Sequence, residues 1–122
     1  MRVFELTSLG SEAPLNARGP TLAKLGDRSL IISRFSRHPK WEIHPRDDEL
    51  LLVIDGEIEI TLLLKSERPR NVLGPGMACI VPKGVWHSPV PLGTVTLLSM
   101  ADYRGTRASD AADPSAVQPR VS

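Results

Sequence analysis

Proline or glycine interrupts this chain so often that no long helix fits between the breaks. Eleven prolines and nine glycines are spread along 122 residues. Proline removes a helical hydrogen-bond donor, and glycine loses too much conformational freedom to favour a helix interior. What lies between them is short and rich in Val, Ile, Leu and Thr. Leu30 to Phe35 reads as a strand, and the nearly continuous apolar run Leu50 to Ile54 as a strand covered on both faces. Asp55-Gly56 has the chemistry of a hairpin turn. After it Glu57-Ile58-Glu59-Ile60-Thr61-Leu62 alternates, placing Ile58, Ile60 and Leu62 on a core and Glu57, Glu59 and Thr61 in water. Pro75-Gly76, Lys83-Gly84 and Pro91-Leu92-Gly93 mark turns around strands at Met77 to Val81, Trp86 to Val90 and Thr94 to Met100. Short strands at this pitch predict an all-β sandwich or barrel. Leu22 to Leu25 leaves room for one turn of helix and no more.

The two ends differ from the middle. Residues 1–29 predict an N-terminal arm or edge strand, with Val3 to Leu6 its one strand-like run, and residues 30–103 the barrel. Residues 104–122 carry no aromatic and few large aliphatics. They predict a disordered tail, because so little apolar surface cannot offset the entropy of ordering. Fifteen basic against fourteen acidic residues leave a net charge of +1, with no basic stripe to hold nucleic acid. No apolar run is long enough for a membrane span, and Met1 to Leu6 lacks a signal peptide's hydrophobic segment, so a cytoplasmic protein is expected. Cys79 is the sole cysteine. It has no intrachain partner and predicts a core thiol.

Two segments carry the chemistry, Trp41-Glu42-Ile43-His44-Pro45-Arg46-Asp47-Asp48-Glu49 and Pro82-Lys83-Gly84-Val85-Trp86-His87. Residues two apart on a strand share a face about 6.6 Å apart. Glu42 and His44 can therefore both lean toward one point.

In these positions the chain resembles the small single-domain members of the cupin superfamily, the jelly-roll β-barrels also described as double-stranded β-helices. Glu42-Ile43-His44, four residues, Glu49, six residues and Gly56 follow the first cupin motif. Gly76, five residues, Pro82-Lys83-Gly84, two residues and His87 follow the second. Ser36 replaces the leading glycine of the first motif, Pro91 the closing asparagine of the second, and Glu42 the first of three metal-binding histidines. The resemblance implies a ligand set of Glu42, His44, Glu49 and His87 for a divalent transition metal: Mn, Fe, Ni or Zn. Two carboxylates and two neutral imidazoles make such a site electrically neutral, where three histidines would leave +1, and the added oxygen favours harder ions. The same four side chains can also satisfy one another as a buried ionic network with no metal.

The resemblance further implies a small polar molecule in the barrel and isomerase, lyase or dioxygenase chemistry, with Glu42 and Glu49 as acid–base groups. The alternative is a non-catalytic ligand-binding or sensor module. Arg34 and Tyr103 are candidates to orient a ligand at the barrel mouth. Trp86, like Trp41, precedes or adjoins a ligand; stacking on a ligand competes with simple packing. His38 precedes Pro39 and reads as an exposed loop histidine. Arg46, Asp47 and Asp48 read as a solvated bend in which Asp48 supports a turn. Leu62-Leu63-Leu64 and the weakly apolar first 29 residues fit a homodimer. No serine or cysteine sits in a nucleophile elbow and no glycine-rich phosphate loop precedes a helix.

Overall fold

The computed structural model describes residues 1–116. A short helix α1 (Leu6–Glu12) is followed by β1 (Thr21–Leu25), β2 (Arg28–Phe35), β3 (Trp41–Ile43), β4 (Glu49–Leu62), β5 (Arg70–Leu73), β6 (Ala78–Val81), β7 (His87–Ala101) and β8 (Arg107–Ser109). All the strand pairings are antiparallel. The path β1-β2-β7-β3-β8 runs along one side, and β4 joins it through β7 while also pairing β5 and β6. The sheet curls on itself, and Phe35, Leu51, Val53, Ile58, Ile60, Leu73, Val81, Val95 and Leu97 fill its concave side. Ile58 and Ile60 are buried as the alternation predicts, and Cys79 packs half-buried against this core. No helix among the described residues is long and apolar enough to cross a membrane.

The long strands correct two predicted turns. Asp55-Gly56 makes no hairpin, because β4 continues straight through it and pairs with β7 on both sides, with register shifts between Val53 and Glu57. Gly56 takes φ 78°, the left-handed residue of a bulge, and a Cβ there would stand 2.2 Å from the Thr94 carbonyl oxygen. Pro91-Leu92-Gly93 likewise lies inside β7. Trp86 O accepts from Leu63 N, so alternate residues of β7 face β4 with their hydrogen-bonding groups. Pro89 and Pro91 fall on the other parity and cost the ladder nothing.

An edge strand does lie within the first 29 residues, but not at Val3 to Leu6, which form no strand. Leu22 to Leu25 belongs to β1, an edge strand on β2, and the helix lies earlier. Glu5 caps that helix by accepting from Thr7 N and Ser8 N. Its buried Gly10 sits so close to the sheet that a Cβ would meet Thr96 Cγ2 at 2.7 Å. At the other end, residues 107–109 form β8 on β3, and Pro114–Ala116 makes one 3-10 turn. Backbone pairing supplies the order that apolar burial cannot. The rest of the predicted tail, 117–122, lies outside the described residues.

Gly56→Ala should lower stability by about 2 kcal/mol or more, from backbone strain together with the clash on Thr94. Gly76→Ala is the matched control, since Gly76 has φ 82° but open space around it. It should cost only about 1 kcal/mol. Equal losses in urea unfolding would disprove the bulge contact.

Candidate metal centre

Three strands, β3, β4 and β7, bring four side chains together. Glu42 is the middle residue of β3 and pairs directly with His87, the first residue of β7. His44 follows β3, and Glu49 opens β4. The intervening loop is held at several points. Asp47 accepts from Arg28 at 2.7 and 3.1 Å and from Asp102 N at 3.0 Å. Asp48 accepts from Lys83 N at 2.8 Å, and His44 O from Gly84 N at 2.9 Å. The Pro82-Lys83-Gly84 turn is therefore docked on the loop that carries His44 and Glu49, which brings His87 to them. Residues 45–47 form the expected bend with Arg46 exposed, but Asp47 within it is half-buried and acts as a structural anchor.

One potential ligand atom from each of Glu42, His44, Glu49 and His87 lies within 4.8 Å of the others, and all but Glu42 are buried. His44 Nε2 is 2.9 Å from Glu42 Oε1 and 3.1 Å from Glu49 Oε1, and His87 Nε2 is 3.4 Å from Glu49 Oε1. Donors on an ion with bonds of roughly 2.1 Å stand about 3.0 Å apart in an octahedron and about 3.4 Å apart in a tetrahedron. These three contacts have that spacing.

The imidazoles are poised accordingly. His87 Nδ1 faces Val85 O at 3.2 Å; a carbonyl only accepts, so Nδ1 donates to it and Nε2 is the nitrogen directed at Glu49. His44 Nδ1 is 2.8 Å from Thr106 Oγ1. Its Nε2 is buried and, despite the close carboxylates, has no hydrogen-bond partner among the described residues. An orphaned ring nitrogen between two carboxylate oxygens fits a divalent cation in chemistry and in spacing.

Burial raises the Glu42 carboxyl, but His38 and His44 beside it hold it well below the usual carboxylate range. Burial likewise raises Glu49, and His44 and His87 bring it down further than that. Burial lowers His44, yet Glu42 and Glu49 push it up to about 9. Tyr103 donates to Glu49 Oε2 at 2.8 Å, and its hydroxyl is driven far up by burial and by the Glu49 charge, so it stays a donor.

A cavity of about 350 Å³ opens onto this cluster. Tyr103 lines it, with Glu42, Glu49, His87, Ser33 and Ser99, between apolar walls of Ile31, Phe35, Leu51, Pro89 and Leu97. The other two predicted ligand-orienting residues are not among its lining. Arg34 lies one residue out of phase with Ser33 and Phe35, and its Nε donates to Ala13 O at 3.1 Å. Trp86 stacks under Arg107, whose guanidinium carbon is 5.6 Å from the ring centre. Strand alternation sends both away from the cavity. Trp41 is buried behind Glu42 with Arg68 over its ring, in the packing role.

Two residues enter that the sequence reading placed elsewhere. His38 is no exposed loop histidine. It lines the cavity, with Nε2 3.3 Å from Glu42 Oε2 and Nδ1 2.8 Å from Pro39 O. Both neighbours are acceptors; burial works against a protonated ring, but Glu42 and the Pro39 carbonyl favour it more strongly and raise the His38 pKa. The strand does break around Pro39, between β2 and β3, and the loop itself returns His38 to Glu42. Thr106, from the predicted tail, holds His44; nothing in its local sequence announces that.

Comparison with known proteins follows the same lines. The sequence profile described as Cupin domain (Cupin_2) matches residues 36–100. An uncharacterized protein of Bacillus subtilis (strain 168), YdbB, is 23% identical over 86 residues, 70% of this chain and 74% of that protein. A cupin-2 domain protein from Shewanella frigidimarina NCIMB 400 superposes with a TM-score of 0.69 at 19% identity, covering 81% of this chain and 93% of the other. Hydroquinone 1,2-dioxygenase from Sphingomonas sp. TTNP3, solved with 4-hydroxybenzoate bound, gives 0.62 at 18% identity over 78% and 70%. At these identities the likeness is one of fold, an all-β jelly-roll barrel.

Without metal, the cluster has a defined pH signature. His44, raised from 6.5 to about 9, stabilises the fold fully below pH 6.5, and this is lost as pH rises through about 9. Glu42 and Glu49, depressed from 4.5, contribute above that value and lose their contribution under acid. Chelator-treated protein should therefore melt highest between about pH 4.5 and 6.5 and decline toward pH 9. Manganese should reverse the upper limb, because a bound ion must displace the His44 proton. A melting temperature in chelator that is level or rising from pH 6.5 to 9 would contradict the ionic network.

Proposed function

This chain belongs to the Cupin domain family, a fold that hosts many chemistries, and we propose that it is a metal-dependent enzyme acting on a small polar molecule. Glu42, His44, Glu49 and His87 hold the ion in this proposal, and the carrying observation is the buried Nε2 of His44, set between two carboxylate oxygens and, among the described residues, hydrogen-bonded to neither. A divalent transition metal bound there supplies Lewis-acid or one-electron chemistry. Among isomerisation, lyase chemistry and oxygen-dependent oxidation, the last is favoured by the likeness to a hydroquinone dioxygenase.

The chain's own groups divide the remaining work. Glu49, its side chain 6% exposed and held by Tyr103, is a fixed ligand. Glu42 is 22% exposed and lines the cavity, with one oxygen toward His44 and the other toward His38. When not bound to the ion it serves as the base, and a protonated His38 beside it would return a positive charge to a site that two carboxylates otherwise neutralise. The apolar walls exclude water from the substrate's body. A second reading, a metal-free binding module, is favoured by the contacts of 2.9 to 3.4 Å through which the carboxylates and imidazoles already compensate one another.

Elemental analysis separates the two. Protein purified without added metal, then reconstituted with Fe²⁺ or Mn²⁺ and desalted, should hold about one equivalent, and Glu49→Gln or His87→Ala should abolish retention. Tyr103→Phe should weaken affinity about tenfold by freeing Glu49. Less than about a tenth of an equivalent in the reconstituted wild type would establish the metal-free module instead.

A further inference from the structure

Charges lining the cavity fall into two groups. Those inside are matched: Glu42 lies against His38 and His44, and Glu49 against His44, His87 and the Tyr103 hydroxyl. Two at the mouth are not. Arg18 and Arg37 both line the cavity, and among the described residues neither guanidinium has a carboxylate within ion-pair distance.

Their meeting is built into the chain, far apart though they are in sequence. Asn16, in the left-handed conformation at φ 58°, donates its backbone N–H to Arg34 O at 2.9 Å. Its side-chain Oδ1 accepts from Ser36 N at 2.8 Å and Arg37 N at 3.3 Å, while Nδ2 donates to Ser36 Oγ at 3.1 Å. Gly19 presses so tightly on β2 that a Cβ would overlap Ile32 O, at 1.6 Å. The segment carrying Arg18 is thus clipped beside Arg37, and Ser36 is one jaw of the clip.

We propose that the cavity selects a small carboxylic acid, its carboxylate held at the mouth by Arg18 and Arg37 and its opposite, hydroxyl- or carbonyl-bearing pole turned toward Glu42, Glu49 and His87. The assignment rests on the substrate-site reading above and adds the substrate's class. An occupant lying the other way would bring its anion to carboxylates that already have partners and leave both arginines unpaired. Guanidinium groups favour planar carboxylates, which they engage in paired hydrogen bonds. Between the poles, Phe35, Leu51, Pro89 and Leu97 offer an apolar wall to the body of the acid. The volume of about 350 Å³ is at the small end for ligand sites and suits an acid with a single ring.

Calorimetric titration of the full chain with two acid–amide pairs tests this: 4-hydroxybenzoate against 4-hydroxybenzamide, and lactate against lactamide. At least one acid should bind about tenfold more tightly than its amide, as expected for two partly exposed ion pairs. Arg18→Gln/Arg37→Gln should erase that preference while metal content and melting temperature stay at wild-type values. Equal affinity for acid and amide in both pairs, no acid binding below about 1 mM, or a preference that survives in the double variant would overturn the proposal. Metal content is read separately. An acid preference in protein that holds no metal would sustain the mouth assignment and defeat the metalloenzyme; metal retention without acid preference would do the reverse.

Discussion

Two carboxylates buried among imidazoles are the interaction on which this barrel's interior depends. Removing one ion from water costs several kcal/mol unless a partner compensates it, and removing one partner from a buried pair exposes that full cost. Glu49 is 4% exposed and His44 2%, so neither can fall back on solvent. Their compensation comes from different parts of the chain: β3, the loop after it, the start of β4 and the start of β7. The cluster therefore exists only when the sheet has curled far enough to bring those strand ends together. A bond to any divalent ion would draw on the same convergence.

Much of the surrounding structure serves to keep that convergence in register. Bulging at Gly56 lets β4 follow β7 around the curve without ending the ladder, and the Pro82-Lys83-Gly84 turn is pinned to His44 O and Asp48. Asp47 ties the ligand-bearing loop to Arg28 and to the backbone of Asp102, next to Tyr103. Tyr103 then reaches Glu49, and Thr106 reaches His44. These contacts orient first the loop and then the side chains, leaving the ring nitrogens and carboxylate oxygens directed at one point. Glu42 stands apart from this rigid shell. It is the most exposed of the four and the one contacted by His38, which makes it the group through which the cavity and the cluster communicate.

The positions readable from the sequence were those set by local rules. Strand alternation placed Ile58 and Ile60 inside, and motif spacing brought Glu42, His44, Glu49 and His87 together. Turn chemistry was a poorer guide. Asp55-Gly56 and Pro91-Leu92-Gly93 have the residues of reversals, yet the same left-handed glycine geometry serves a bulge when a long partner strand continues past it. Side-chain direction failed wherever one residue of phase mattered: Arg34 sits between Ser33 and Phe35 but faces the other way. Residues 107–109, polar and apolar-poor, gain order from β3's open edge, a resource that composition does not record.

The amino-acid order by itself determined an all-β chain, its core-facing positions and the identity of the four candidate ligands, because each follows from spacing along a backbone of fixed pitch. Tertiary structure decided what surrounds them. His38 came to Glu42 through the local bend at Pro39, while Thr106 came to His44 and Asn16 to Arg37 through contacts between segments remote in sequence, which depend on how far the sheet curls and where its bulges fall. Those are properties of the closed assembly of strands, which no single stretch of residues contains.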